Sequence, residues 1–141
     1  MTITVGSSTP TGIYPITVTG NGGGIQQNTT VTLTVVAASP DFSITATPAS
    51  QSVSRGSAVN YTATATALNG FAGTVNLSMT GCPRRSTCAF SPTSLTLPPS
   101  PANSTLRVST NRRTPTGTYT LTITGTSGSL KHSTTVSLTV H

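Results

Sequence analysis

Tryptophan is absent from this chain of 141 residues, and a single acidic side chain, Asp41, stands against seven basic ones. One carboxylate excludes several chemistries within one chain. Hydrolysis by paired carboxylates needs two, and a calcium site built from carboxylates fails for the same reason. Charged residues make up only 6% of the chain, so the long charged side chains that cover helix surfaces are missing, and Thr, Ser, Gly and Pro favour strands and turns instead. No run of about 18 apolar residues is present to span a membrane. No basic-then-apolar leader opens the chain, so export would depend on an upstream segment. The expectation is no membrane insertion and no cofactor.

What is present is regular. The apolar residues recur at period two between turn signals, which favours order over disorder despite their modest share. The segment Thr9-Pro-Thr-Gly-Ile-Tyr-Pro-Ile-Thr-Val-Thr-Gly20 returns as Thr114-Pro-Thr-Gly-Thr-Tyr-Thr-Leu-Thr-Ile-Thr-Gly125. The match continues without a gap from Thr29-Thr-Val-Thr-Leu-Thr-Val35 to Thr134-Thr-Val-Ser-Leu-Thr-Val140. A gapless match at such spacing marks a repeat of one domain plus a short linker. A chain of this length holds one ordinary domain but not two sandwiches of about 100 residues each.

Residues 1–36 therefore read as the C-terminal half of a preceding repeat, entered at about its fifth strand and carrying three strands. Residues 37–40 read as linker, and residues 41–141 as the complete copy. Strand signals run from Phe42 to Thr47, through Val59-Tyr61-Ala63-Ala65-Ala67 and Val75-Leu77-Met79, to Tyr119-Leu121-Ile123 and Val136-Leu138-Val140. Seven or eight short antiparallel strands at this spacing predict an all-β, two-sheet sandwich. The outward positions are largely Thr, which suits a pleated surface and keeps it wet without charge.

Four stretches, Asp41-Phe-Ser-Ile-Thr-Ala-Thr-Pro48, Leu68-Asn-Gly-Phe-Ala-Gly-Thr-Val75, Cys88-Ala-Phe-Ser-Pro92 and Thr114-Pro-Thr-Gly-Thr-Tyr119, resemble the immunoglobulin-like β-sandwich repeats of large secreted and cell-surface proteins of bacteria. The resemblance covers essentially the whole chain. It implies an immunoglobulin-like antiparallel sandwich and an extracellular place within a larger exported protein. It also implies a non-catalytic structural or adhesive module that spaces or displays other domains, although fold alone does not choose among such roles. Tyr14 and Tyr119, each just after Thr-Gly, resemble a tyrosine corner whose hydroxyl bonds nearby backbone.

Cys82 and Cys88 enclose Pro83-Arg-Arg-Ser-Thr87. They can close a small disulfide, stabilising by about 2 kcal/mol through the unfolded chain. They can also remain free thiols. Zinc would need two more ligands, with only His132 and His141 on offer. Arg84 and Arg85 sit in that loop, and Arg112 and Arg113 stand where the first copy has Ser7 and Ser8, so the turn does not need them. They read either as solubilising charge or as contacts to an anionic polysaccharide or cell-wall polymer. Scattered loop arginines without interleaved aromatics do not describe a specific nucleic-acid binder.

His132, Asp41 and one of the many serines could be drawn as a triad, but no Gly-x-Ser-x-Gly elbow accompanies them. A hydrolase would have to assemble its site at a dimer interface, and the expectation is no enzyme. The first 36 residues leave Ile13 or Tyr14, Ile16, Val18, Val31, Leu33 and Val35 on an uncovered face, and three strands alone are barely stable. A homodimer through residues 1–36 is the simplest expectation, with folding back or strand exchange as alternatives.

Overall fold

The computed structural model describes residues 2–6 and 8–141. The chain is all-β and divides into two compact units, Met1–Ser39 and Pro40–His141.

The first unit is a hairpin of β1 (Gly12–Gly22) and β2 (Ile25–Val35), antiparallel from Gly12 opposite Val35 to Gly22 opposite Ile25. The second unit holds nine strands: β3 (Asp41–Thr47), β4 (Ser50–Val53), β5 (Ala58–Leu68), β6 (Gly73–Thr80), β7 (Ser86–Ser91), β8 (Ser94–Leu97), β9 (Ala102–Thr110), β10 (Gly117–Ser127) and β11 (Leu130–Val140). They form a five-stranded sheet in the order β4-β11-β10-β6-β8 and a four-stranded sheet in the order β3-β5-β9-β7. From β6 to β9 the chain alternates between the sheets, which draws its loops to the two ends.

Alternation along each strand builds the core between the sheets. On β5, Tyr61, Ala63 and Ala65 are buried while Thr62 faces solvent. They meet Val75 and Leu77 of β6, Leu121 and Ile123 of β10, and Val136, Leu138 and Val140 of β11 in one cluster. Each large aliphatic side chain taken wholly from water contributes about 1.5–3 kcal/mol.

Two expectations need correction. The complete unit has nine strands rather than seven or eight, and one pairing is parallel: Ser50–Val53 of β4 runs alongside Ser137–Val140 of β11. The Ser-Gln-Ser-Val segment has too few apolar residues to show a period. It is a strand because β11 offers it a ladder.

The first unit has two strands among its described residues, where three were expected. Thr2–Val5 lies opposite Arg107–Thr110 of β9 in the repeat. In the complete unit β9 is held between β5 and β7, whereas among the described residues of the first unit no strand pairs with Thr2–Val5.

The two matched hairpins share one register. Gly12 opposite Val35 becomes Gly117 opposite Val140, and every intervening pair follows. The Tyr14 hydroxyl donates to the Pro10 carbonyl at 2.8 Å, and Tyr119 to Pro115 at 2.9 Å. Burial differs. Ile123 and Val136 are buried, whereas their counterparts Val18 and Val31 are 36% and 44% exposed.

Candidate functional site

Three loops meet at one end of the complete unit: residues 54–57 between β4 and β5, 81–85 between β6 and β7, and 111–116 between β9 and β10. Two buried threonines tie them together. Thr110, at the end of β9, donates its hydroxyl to the Ser57 carbonyl at 2.8 Å and accepts from the Gly56 backbone N–H at 3.1 Å. Thr114, with no exposed surface, donates to the Arg85 carbonyl at 2.9 Å and accepts from the Asn111 N–H at 2.9 Å. A buried hydroxyl that both donates and accepts carries no unsatisfied desolvation penalty, so these contacts hold the loops at little cost.

The consequence is electrostatic. Arg84 and Arg85 come to the same end as Arg112 and Arg113, and Arg55 in the 54–57 loop joins them. All five are exposed. Of the seven cations, only Arg107 on β9 and Lys131 on β11 lie elsewhere. No acidic side chain stands at this end. Asp41 pairs with Leu68 at the far end of β5, and the 11 residues of β5 span about 30 Å at roughly 3.3 Å per residue. That is several Debye lengths at physiological salt, about 8 Å each, so Asp41 does not neutralise the arginines.

Sequence reading singled out Arg84, Arg85, Arg112 and Arg113 as scattered loop residues, and gave neither their convergence nor any part to Arg55, Thr110 and Thr114. A partial signal existed, because Thr114 repeats Thr9. The turn itself repeats too: Thr9 N–H bonds the Gly6 carbonyl at 3.1 Å, as Thr114 N–H bonds Asn111 at 3.0 Å. Ser8 occupies the place of Arg113, while Ser7, opposite Arg112, lies outside the described residues.

Cys82 and Cys88 are joined in a disulfide across the arginine-bearing loop. Within it Ser86 N–H bonds the Pro83 carbonyl at 3.2 Å, and Arg85 is held at φ 62°. Removing the crosslink from the unfolded chain restores its loop entropy. Reduction, or Cys82→Ser with Cys88→Ser, is therefore expected to lower unfolding free energy by about 2 kcal/mol while the sandwich still folds. Urea titrations with and without reductant check this, and coincident midpoints would contradict it.

At the opposite end the structure brings Asp41 and His132 together, Oδ1 to Nε2 at 2.7 Å, with both side chains partly exposed. The ring of Phe42 packs edge-on against His132 at 4.9 Å. The Phe42 backbone N–H donates to Asp41 at 2.8 Å. That bond first, and His132 second, hold the Asp41 carboxyl below its ordinary 3.8. A depressed carboxylate value adds stability above 3.8 that is lost as pH falls through the folded value. Asp41→Asn should therefore be less stable than the native chain near neutrality, with the gap closing below pH 3.8. Thermal melts across that range test it, and a gap that persists in acid refutes it. Among the described residues no three His, Cys, Asp or Glu side chains gather as a metal site. With its one carboxylate spent on Nε2, the pair ties the start of β3 to β11.

Neither protein-family models nor curated proteins match this chain. Solved structures do. Domains 4 and 5 of the S-layer protein SbsC superpose with a TM-score of 0.54 at 20% identity, covering 89% of this chain and 65% of that one. A structure of SbsC domains 4–9 gives 0.52 at 20% identity over 93% of this chain and 18% of that one. SbsC domains 1–6 give 0.51 at 22% identity over 80% and 14%. The chain thus spans 65% of the two-domain structure and less than a fifth of the longer ones. At such identities the likeness is one of fold, shared with domains of a bacterial surface-layer protein.

Proposed function

We propose that this chain is a non-catalytic, immunoglobulin-like repeat module of a secreted or cell-surface bacterial protein, spacing or displaying neighbouring domains outside the cell as part of a larger exported protein. The observation that carries this is one hairpin built twice, at the same register and with the same tyrosine contact. Units repeated end to end add length rather than chemistry. The fold shared with S-layer domains supports a surface location, and the disulfide suits an oxidising compartment.

A spacer has to bear tension. β4 near the start of the complete unit and β11 at its end are parallel neighbours, so pulling the ends apart shears their hydrogen bonds together rather than unzipping them singly. Single-molecule extension of the full chain should show one cooperative rupture that frees about 300 Å, the extended length of roughly 100 residues less the folded span and the disulfide-closed loop. Gradual lengthening without a rupture would overturn the spacer reading.

The exposure of Val18 and Val31, set against the burial of Ile123 and Val136, favours a second reading of the first unit. Opposed apolar sheet faces are what the complete unit uses for its core, so two copies of the chain pairing through residues 1–36 would cover the hairpin by the same means. Sedimentation at micromolar concentration should give the dimer mass, with Val31→Lys shifting it to the monomer. A native monomer whose residues 1–36 resist proteolysis would exclude pairing.

A further inference from the structure

We propose that the arginine end of the complete unit is a binding surface for an anionic polysaccharide, gripping sulfate, carboxylate or phosphate groups spaced along the polymer. Five cations without an acidic side chain among them repel one another, and the 111–116 turn does not require its Arg113, since the matching turn of the first copy closes by the same bond with Ser8 in that place. What the fold supplies is rigidity. Thr110 and Thr114 fasten the three loops, and the disulfide closes the one that carries Arg84 and Arg85. Guanidinium groups held on fixed loops lose less freedom on binding than groups on mobile ones, and their planar forks suit sulfate, carboxylate and phosphate oxygens.

The shape of the surface selects the class of ligand. The five side chains stand exposed on three loops, which suits an extended polymer that presents several anions and not a small ion in need of enclosure. Tyr119, the aromatic nearest this end, turns its ring to the core and its hydroxyl to Pro115. Its own ring therefore offers bases no free face on which to stack. The preference for polysaccharide over duplex nucleic acid rests on the extracellular reading above. Charge clustering itself does not depend on that reading.

The test uses the full chain on immobilised heparin, on polygalacturonate and on uncharged dextran, with a 20-base-pair DNA duplex as competitor. Retention on heparin or polygalacturonate that falls steeply with salt, with none on dextran, is expected, and the polymer held to the higher salt identifies the anion. Arg112→Ser with Arg113→Ser, which copies the first repeat, should weaken binding about tenfold and flatten its salt dependence. Changing Arg55, Arg84 and Arg85 to Ser as well should abolish it. Arg107→Ser with Lys131→Ser removes as much charge as the double variant but away from the loops, and should change affinity less than about twofold. Circular dichroism melts confirm that each variant folds. If the larger variant fails to fold, the two double variants decide. Equal losses in those two would reduce the effect to net charge and overturn the proposal, as would no retention on either polymer. Displacement by the duplex at lower concentration than by either polysaccharide would overturn it in favour of nucleic acid, and would leave the force measurement untouched.

Discussion

Replacing Gly81 with alanine is expected to destabilise the complete unit by about 3 kcal/mol or more. Gly81 follows β6 at φ 90°, where L side chains are strained. A Cβ placed there would lie 2.0 Å from the Thr120 carbonyl oxygen and 3.1 Å from its carbon. Both atoms belong to the backbone of β10, which is fixed between β6 and β11. No rotamer change can relieve the contact, so strand separation must. Gly70 is the control, at φ 76° with nothing within 4 Å of its added Cβ. Gly70→Ala isolates the dihedral strain and should cost about 1–2 kcal/mol. Urea unfolding with unchanged slopes separates the two. Equal midpoints for Gly81→Ala and Gly70→Ala would mean that β10 yields.

Tyr61 should show the other large effect. It has no exposed surface on β5 and donates its hydroxyl to the Ser137 carbonyl of β11 at 2.7 Å, crossing from one sheet to the other. Tyr61→Ala leaves an aromatic-sized cavity and should cost about 3–5 kcal/mol. Tyr61→Phe keeps the packing but takes away the donor to Ser137, which should cost about 1 kcal/mol. Burial pushes the Tyr61 hydroxyl above its ordinary 10.0. A raised value leaves stability intact below 10.0 and removes it as pH climbs toward the folded value. The native chain should therefore weaken in alkali more steeply than Tyr61→Phe. Chemical unfolding of both across pH 10.0 measures the difference, and parallel curves would rule out Tyr61 as the alkaline-sensitive group.

Much of the sandwich was legible because its signals are local. Period-two alternation placed Tyr61, Ala63 and Ala65 on one face of β5, and they are buried together. The gapless repeat put β1 and β2 in the register of β10 and β11. Two cysteines six positions apart allowed the disulfide that the structure contains, although spacing left other states open. Illegibility began where a residue's state depends on what lies beside it. β4 is a strand only because β11 runs parallel to it, and Thr2–Val5 is none because no ladder flanks it.

The chain's own residues thus determined its β class, its inward and outward faces, its repeat and its excess of positive charge, since each follows from side-chain chemistry read along a strand. Tertiary structure alone decided where that charge collects. The crossings between sheets from β4 to β5, β6 to β7 and β9 to β10 bring residues 54–57, 81–85 and 111–116 to one end, and Thr110 and Thr114 hold them there through contacts with residues up to 56 positions distant. No local pattern encodes such a meeting, because it depends on how whole strands are ordered in space.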